Sequence, residues 1–455
     1  MDNISFKTQS EVLSFLKRRE NNVKFVRVIF PDVLGREMSL CFPSEEIESA
    51  FEKGIGFDGS SVEGFARIEE SDLIMVPDPK TFKVLPWDYQ IEDVSWKEAV
   101  VFGDIFTPKG DHFGGDSRYA LKKVLEETKK IGKLFVGPEI EFFIFKNQRE
   151  TELLDHGGYF YKGKLGEVRK LTQIYLHEMG IKTDSDHHEV APSQHEIVLK
   201  YNDALTIADS IILTKYIIKR IVRKLGFFAS FMPKPITKEN GSGMHLHLSL
   251  RKGNKNIFFN NKKNPLSILA KKYIAGLIEE GRGIQLALNQ WVNSYKRLIP
   301  GYEAPVYLAW GRKNRSAYIR TPATHLSDAK KATRIEIRSP DPACNIYLAL
   351  TMIHAVGIRG IKKNLRILPP EEKDIFDMSR REIKQKNINV LSKNLKEALN
   401  EFKENELAEK ILGSHLFQKM IQNAEIQWNE YKKVAGNKFE KEVSPYEIEK
   451  YLPVL

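Results

Sequence analysis

Pairs of ionisable side chains occur in two segments at the spacing that puts both on one face of a β-strand. Glu139 and Glu141 alternate with apolar residues, and so do His245 and His247. Successive side chains of a strand point to opposite faces, so residues two apart share a face. We therefore predict that two carboxylates share one strand face and that two imidazoles share another.

Two further segments extend this pattern. Arg334, Glu336 and Arg338 alternate with isoleucines, which places the three charges on one side of a strand. Glu189 and Glu196 lie on either side of a predicted turn. Each segment alone is typical of a half-exposed strand with its polar residues outward. The four segments together favour a shared site.

The residues after Glu141 indicate which chemistry such a site would support. Positions 142–145 are Phe, Phe, Ile and Phe, as in a strand buried on both faces. Ionised glutamates beside such a run would be costly without cations. Mg²⁺ and Mn²⁺ bind carboxylate oxygens and the occasional imidazole, and pairs of these ions serve phosphoryl chemistry. Nearby guanidinium groups would suit phosphate or carboxylate ligands.

Composition limits the class of protein. The 455 residues are 42% hydrophobic and 29% charged, which argues against a disordered or fibrous chain. The net charge is +11, but the lysines are spread over surface-type stretches, so we expect no nucleic-acid partner. Two cysteines favour a reducing compartment. Without a signal-peptide pattern or a long apolar run, we predict a cytoplasmic protein with no membrane partner.

The elements that must position the ionisable residues start with an N-terminal hairpin. Alternating residues at 24–30 and 36–42 flank a turn that contains Pro and Gly. A short helix follows, with Ser44 as its N-cap. Together with strands predicted at 81–85 and 99–102, these elements indicate a small α+β domain.

A turn sequence at 107–110, followed by two glycines, marks the domain boundary. The predicted domains are therefore residues 1–110 and residues 111–455. In the second domain, charged strands alternate with long helices. We predict strands at 134–145, 195–201, 243–250 and 333–338, helices at 116–130, 204–225, 267–280 and 345–363, and one or two surface helices within 391–432.

Six strings of residues together resemble type I glutamine synthetase. They are Phe57–Ser61, Gly137–Phe143, Asn240–His245, Asn293–Pro305, Asn314–Ser316 and Arg334–Arg338. Their order and approximate spacing match the family, and the resemblance runs from about Lys24 to the C-terminus. Each string alone is a weaker signal than the set.

The resemblance implies two divalent-metal sites, filled by Mg²⁺ or Mn²⁺. The first would lie near the ammonia and γ-carboxyl chemistry and the second near the ATP phosphates. The implied ligands are Glu141, Glu189 and Glu196 for the first ion, and Glu139, His245 and Glu336 for the second.

The resemblance also implies the substrates L-glutamate, ammonium and ATP. ATP would phosphorylate the γ-carboxylate to γ-glutamyl phosphate, and ammonia would then displace phosphate to give L-glutamine. The implied glutamate-binding residues are Asn240, Gly241, Arg297 and Arg338, and those for ATP and the transferring phosphoryl group are Ser249, Arg315, Arg320, Lys331 and Arg334, with Arg315 also catalytic.

Four loop residues receive roles by the same resemblance. Asp58, with Ser61 beside it, matches the ammonium site and proton acceptor, and Glu303 matches the flap glutamate that closes the site. Arg67 resembles an arginine linked to glutamine feedback inhibition. Without the resemblance, Asp58 would be interpreted as a turn residue and Glu303 as an exposed loop carboxylate. His247 fits either a nucleotide neighbour or an ordinary strand histidine.

The implied fold is α+β, with a small β-grasp-like N-terminal domain and a large catalytic domain built on a curved antiparallel sheet and helices. The implied assembly is a homododecamer of two hexameric rings with active sites between adjacent subunits, and PII-like nitrogen-signal proteins are candidate partners. One alternative is a γ-glutamyl-amine (polyamine) ligase, which we would expect to lose the anionic ammonium pocket. Another is a catalytically silent signalling homologue, against which the intact candidate metal ligands argue.

Overall fold

In the computed structural model, two sheets follow one another along the chain. The structure describes residues 6–64, 67, 72–261, 265–312, 314–323, 327–436 and 441–455. The strands are β1 (Val23–Pro31), β2 (Glu37–Pro43), β3 (Ile55–Asp58), β4 (Asp72–Pro77), β5 (Lys83–Val84), β6 (Tyr89–Ile91), β7 (Val94–Phe106), β8 (Lys133–Phe145), β9 (Thr183–His188), β10 (Gln194–Leu199), β11 (Asn202–Asp203), β12 (Phe228–Ser230), β13 (Met244–Lys252), β14 (Lys255–Asn256), β15 (Tyr307–Gly311), β16 (Ala317–Arg320) and β17 (Ile335–Ile337).

Helices surround these sheets. They are α1 (Gln9–Leu16), α2 (Ile47–Lys53), α3 (Ser117–Thr128), α4 (Gly166–Glu178), α5 (Ala204–Lys224), α6 (Ile268–Glu279), α7 (Gln285–Leu288), α8 (Ser294–Arg297), α9 (Ala329–Ala332), α10 (Ile346–Lys362), α11 (Arg380–Gln385), α12 (Leu395–Lys403), α13 (Glu406–Leu412), α14 (Ser414–Ala435) and α15 (Pro445–Tyr451). Among the described residues, every helix is too short or too polar to span a bilayer.

The N-terminal sheet has the strand order β2-β1-β7-β4-β3, in which β1 and β7 pair in parallel at the centre. The predicted hairpin forms β1 and β2, with Phe30 opposite Met38. Its turn contains Gly35, whose φ of +76° favours glycine. Buried Val26, Val28 and Val101 contribute to the core under this sheet.

The second sheet has the order β15-β16-β17-β13-β8-β10-β9. The central strand β8 pairs antiparallel with both β13 and β10. Phe142, Phe143, Ile144 and Phe145 are fully buried, and α5 packs against β8. The strand β8 therefore sits inside the largest apolar core of the chain.

Several elements differ from the sequence predictions. The strand predicted at 333–338 covers only Ile335–Ile337, so Arg334 and Arg338 flank it. The tail predicted to form one or two helices forms α12, α13 and α14, because Asn405 caps α13 and Gly413 ends it. The domain boundary at residue 110 stays a prediction; β7 ends at Phe106 and α3 begins at Ser117.

A buried arginine joins the two parts of the chain. Arg118 on α3 is fully buried, and its Nε and Nη2 donate to Asp209 on α5 at 3.1 and 3.0 Å. The same guanidinium contacts Asp104 of β7 at 2.6 Å and Asp78 at 3.1 Å. Tyr347 donates to Asp209 at 2.7 Å. The N-terminal sheet and the helices of the second region therefore share one cation.

We predict that Arg118→Met lowers the free energy of unfolding by about 3–5 kcal/mol, because it leaves buried carboxylates without their cation. Arg312→Met is the control, since Arg312 and its partner Glu372 are 56% and 40% exposed, and exposed pairs contribute about 0–1 kcal/mol. Urea denaturation followed by tryptophan fluorescence measures both. Equal losses in the two variants would contradict the prediction.

Candidate active site

One face of the second sheet carries a row of ionisable side chains. Register places them opposite one another on neighbouring strands, because β8, β10 and β13 run antiparallel and keep their period of two. The directly opposed pairs are His187 with Glu196, Glu196 with Glu141, Glu139 with His245, His247 with Glu336, and Glu336 with Arg320.

The first cluster consists of Glu139, His245 and Glu336, whose candidate ligand atoms all lie within 4.8 Å of one another. His245 Nδ1 is 3.0 Å from a Glu139 oxygen and 3.8 Å from a Glu336 oxygen. His247, which the sequence left open, lies beside this cluster: its Nε2 is 2.7 Å from Glu139 Oε1, and its Nδ1 accepts from Arg334 at 3.2 Å. The structure thus brings together the three residues predicted for one metal.

The second cluster consists of His187, Glu189 and Glu196, again with ligand atoms within 4.8 Å. His187 Nε2 lies 2.8 Å from Glu189 Oε1, and its Nδ1 lies 3.4 Å from Glu196 Oε1. Sequence reasoning missed His187. The available signal was its position two residues before Glu189, at the end of a strand that pairs with the strand of Glu196.

Glu141, predicted as the third ligand beside Glu189 and Glu196, makes different contacts. Its Oε2 accepts from Gln194 Nε2 at 3.1 Å and from the Gly243 backbone N–H at 2.9 Å. It stands opposite Glu196 in the register, next to this cluster.

Burial controls the electrostatics of this face. Burial and the charge of Glu189 raise the pKa of Glu141 well above its usual range. Burial and the charge of Glu139 do the same to the pKa of Glu196. Burial also acts on Glu139, but hydrogen bonds from His245 and His247 lower its pKa well below the usual range. The described residues therefore stabilise the ionised form of Glu139 but not the ionised forms of Glu141 and Glu196, which need a proton or a cation.

This donor set fits divalent cations. Carboxylate oxygens with an occasional imidazole nitrogen suit Mg²⁺ and Mn²⁺, and the surplus negative charge favours a cation over a neutral ligand. Each cluster offers ligand atoms from separate strands or from a strand and its adjoining turn. Each cluster has a donor set that could hold one such ion.

Arginines border the acidic face. Arg320 Nε and Arg338 Nε lie 2.5 and 3.2 Å from the two oxygens of Glu336. Arg297 is buried, and its guanidinium donates to the carbonyls of Ser339 at 2.8 Å and Arg338 at 3.0 Å. Among the described residues, buried Arg338 Nη1 has no hydrogen-bond partner. An anionic ligand would satisfy this donor.

A cavity of about 550 Å³ connects the acidic face and the arginines. A Cβ at Gly243 would lie 2.4 Å from Arg297 Nη2, so only glycine leaves this guanidinium in place. The predicted residues that line the cavity are Glu139, Glu141, Glu189, Glu196, Asn240, Gly241, His245, Ser249, Arg297, Glu303, Arg315, Arg320, Lys331, Arg334, Glu336 and Arg338.

Three predicted residues lie elsewhere. Asp58 ends the edge strand β3 and accepts from the Ser60 backbone N–H at 2.9 Å. Ser61 and Arg67 line a separate cleft together with Lys219, and Arg67 Nη1 donates to the Ser60 carbonyl at 3.1 Å. The structure of one chain therefore does not bring the predicted ammonium residues to the acidic cavity.

Glu303 lies in a strained backbone conformation at the cavity. Its φ is +54°, a region that residues with a Cβ rarely adopt. Its carbonyl accepts from Arg338 Nη2 at 3.2 Å, which holds the loop against the arginine. The strain coincides with the residue predicted to close the site.

Sequence reasoning also missed an aromatic region of the cavity. The Arg251 guanidinium lies 4.9 Å from the ring centres of both Phe135 and Tyr201. Tyr159 packs edge-on against His187 with ring centres 4.9 Å apart. Phe135, Tyr201 and Arg251 lie at or next to the ends of β8, β10 and β13, which was the available signal, whereas Tyr159 lies in the connection between β8 and α4.

Comparison with known proteins shows the family to which the chain belongs. The family model described as "Glutamine synthetase, catalytic domain" matches residues 114–451, and the model described as "Glutamine synthetase, beta-Grasp domain" matches residues 22–108. The chain belongs to the glutamine synthetase family. The predicted family, the predicted fold class and the prediction of a ligase enzyme are confirmed.

Relatives in the glutamine synthetase family match over nearly the whole chain. A glutamine synthetase of Methanosarcina mazei is 43% identical, with 98% of both chains covered. One of Thermotoga maritima is 41% identical, covering 95% of this chain and 97% of its own. The cryoEM structure of a Plasmodium falciparum glutamine synthetase has a TM-score of 0.83 at 27% identity, covering 99% of this chain and 100% of its own. A GmaS/ADP complex has a TM-score of 0.82 at 26% identity, covering 96% and 98%.

We predict that Mn²⁺ titrated into the metal-free protein binds at two separate sites per chain. Glu336→Gln should weaken one site and Glu196→Gln the other, each by at least about tenfold, because each removes a charged ligand. Isothermal titration calorimetry measures both affinities. Glu401→Gln, whose carboxylate pairs with Arg282 outside the cavity, is the control. Loss of both sites in either variant would contradict two independent clusters.

Proposed function

We propose that this chain ligates ammonia to the γ-carboxylate of L-glutamate with ATP, through γ-glutamyl phosphate, to give L-glutamine, ADP and phosphate. The family implies the use of ATP, and relatives named glutamine synthetase match over nearly the full length of the chain. The observation that carries the proposal is the single cavity in which two acidic clusters face buried arginines. Phosphoryl transfer from a nucleotide to a carboxylate needs this combination of charges.

Glutamate would bind at the arginine side of the cavity. Arg297 is fixed by backbone carbonyls, and Arg338 keeps a buried N–H unpaired among the described residues. We assign these two guanidiniums to the carboxylates of glutamate, with Asn240 and Gly241 beside them in the lining. Glutamate bound there would have its γ-carboxylate in the same cavity as the acidic clusters.

Ser249, Arg315, Arg320, Lys331 and Arg334 would surround ATP. A γ-carboxylate oxygen attacks the γ-phosphorus, the bond to ADP breaks, and arginines neutralise the charge that spreads over the phosphoryl oxygens. Glu139, His245 and Glu336 would hold one divalent ion, and Glu189 and Glu196, with His187 or Glu141, would hold the other. Divalent ions in these places supply charge neutralisation for the phosphates and the reacting carboxyl group.

The second step needs ammonia, which then attacks the acyl carbon as phosphate leaves. Ammonium is the abundant species near neutral pH, so a carboxylate must bind it and take a proton. We assign this role to Asp58, with Ser61 beside it, and assign closure of the cavity against water to Glu303. Since Asp58 and Ser61 lie outside the cavity of their own chain, they would act in a neighbouring subunit of a homododecamer.

We infer that the enzyme is cytoplasmic. The two free cysteines, Cys41 and Cys344, support this location, because reducing compartments keep thiols unpaired.

We also propose that Arg67 contributes to feedback inhibition by glutamine. Its contact with the Ser60 carbonyl couples it to the turn that follows Asp58.

We predict ATP-dependent phosphate release with glutamate and ammonium that requires Mg²⁺ or Mn²⁺. Release with putrescine or methylamine in place of ammonium should be below about a tenth of that rate, because an anionic pocket for a small cation discriminates against larger amines. A coupled phosphate assay with product analysis by mass spectrometry measures it. Faster turnover of an amine would instead support a γ-glutamyl-amine ligase, and no turnover with any acceptor would support a silent homologue.

The trans assignment of Asp58 predicts complementation. Homogeneous Asp58→Ala and Glu336→Ala oligomers should be inactive, whereas mixed rings at equal proportions should recover about a quarter of intact sites through random neighbour pairing. Co-expression with two different affinity tags isolates mixed rings, and the phosphate assay measures their activity. Inactive, verified mixed rings would contradict an active site shared between adjacent subunits.

A further inference from the structure

A buried carboxylate lies five residues after Asp58. The side chain of Glu63 is fully buried, its Oε1 is 2.6 Å from His415 Nε2, and its Oε2 is 3.3 Å from Lys419 Nζ. Both partners belong to α14, far along the chain in the second region. We call the group formed by Glu63, His415, Lys419 and Asn423 the Glu63 anchor.

The helix residues of the anchor also hold the backbone around Glu63. Asn423 Nδ2 donates to the Glu63 carbonyl at 2.7 Å, and Lys419 Nζ donates to the Arg67 carbonyl at 3.2 Å. His415, Lys419 and Asn423 are spaced four apart, so they share one face of α14. One helix face therefore fixes both side chain and main chain of this segment.

The segment between the two sheets packs against the same anchor. Phe113 is buried and meets His415 edge-on with ring centres 5.0 Å apart. A Cβ at Gly115 would lie 3.2 Å from Glu63 Oε1, and a Cβ at Gly114 would lie 3.1 Å from His415 Cβ. The anchor is thus a junction of three segments: the turn after Asp58, the connection to α3, and α14.

The position of Asp58 depends on the residues that come after it in the chain. β3 is the last strand of its sheet and pairs only with β4 in the described part of the chain. After Asp58 comes a single 3₁₀ turn, Gly59–Ser61, and then the Val62 carbonyl accepts from the Val33 backbone N–H at 2.9 Å. An edge strand and one turn give little rigidity by themselves. Val62 is fully buried, and the carboxylate of the next residue, Glu63, has ionic partners on α14.

We propose that Glu63 is a positioning residue for ammonium capture: through His415 and Lys419 it holds the Asp58–Ser61 turn where that turn meets the active site of the neighbouring subunit. This inference rests on the proposed function. The hydrogen bonds between His415 and the Glu63 carboxylate and from Asn423 to the Glu63 carbonyl are directional, so they fix the turn more narrowly than apolar packing does. A displacement of about 1 Å in such a group is enough to impair catalysis severely.

The test compares kinetic constants in Lys419→Met, His415→Gln and Glu63→Gln. KM for ammonium should rise about tenfold, a change of about 1.4 kcal/mol, while KM for glutamate and KM for ATP stay within about twofold, because only the turn is released. Lys419→Arg keeps a cation and should restore the ammonium constant. Glu430→Gln, on the same helix and paired with Lys450 away from the anchor, should match the unmodified enzyme.

Melting temperature and oligomer size are measured for every variant. If Glu63→Gln fails to fold, the partly exposed His415 and Lys419 still carry the test. Folded Lys419→Met and His415→Gln variants with an unchanged ammonium KM, or with equal rises in all three constants, would overturn the proposal.

A second measurement separates this proposal from the proposed function. Hydrogen–deuterium exchange in the peptide covering 55–64 should accelerate in Lys419→Met and remain unchanged in Glu430→Gln. This readout needs no activity. An unmodified enzyme that fails to turn over glutamate, ammonium and ATP would refute the proposed function, whereas unchanged exchange in Lys419→Met would refute the anchor.

Discussion

The negative charge of the carboxylates on the cavity-facing side of the second sheet has to be compensated by cations or hydrogen-bond donors. This requirement determines which side chains lie around them. An ionised carboxylate removed from water is costly unless a cation or several donors replace the lost solvation. Side chains of the protein compensate the carboxylates in the first cluster, where Glu336 lies beside two guanidiniums and Glu139 lies beside two imidazoles. On the same face, Glu141 and Glu196 keep raised pKa values. A divalent cation bound beside Glu141 and Glu196 would stabilise their ionised forms.

The opposite face of the sheet explains why this arrangement persists. The side chains of Ile140, Phe142 and Ile144 are fully buried, and α5 covers the strand that carries them. A sheet packed in this way cannot move its carboxylates apart to relieve their repulsion without opening the core. Apolar packing on one face thus holds the mutually repelling carboxylates of the other face close together. Such fixed positions are what a preorganised site requires.

The parts that could be predicted from sequence are those with strong local patterns. Alternation in β8 and β13 indicated the shared faces of the glutamates and histidines, and long amphipathic runs indicated α5 and α10. The short strands β3 and β4 and the helix α4 were missed, since α4 begins without a side-chain cap and short strands depend on their partners. His187 was missed for a related reason: its role depends on the pairing of β9 with β10, which one strand alone does not reveal.

The alignment of the two sheets affects catalysis if Asp58 acts in the active site of a neighbouring subunit. If Asp58 serves the neighbouring subunit, any rotation between the two sheets of one chain displaces a residue in another chain's site. Apolar contacts tolerate sliding, whereas ion clusters impose both distance and direction. The chain places such clusters at two points of the connection between the two sheets, Arg118 with its aspartates and Glu63 with α14. These clusters constrain the alignment of the two sheets, although buried ion pairs contribute little net stability over apolar residues of the same volume.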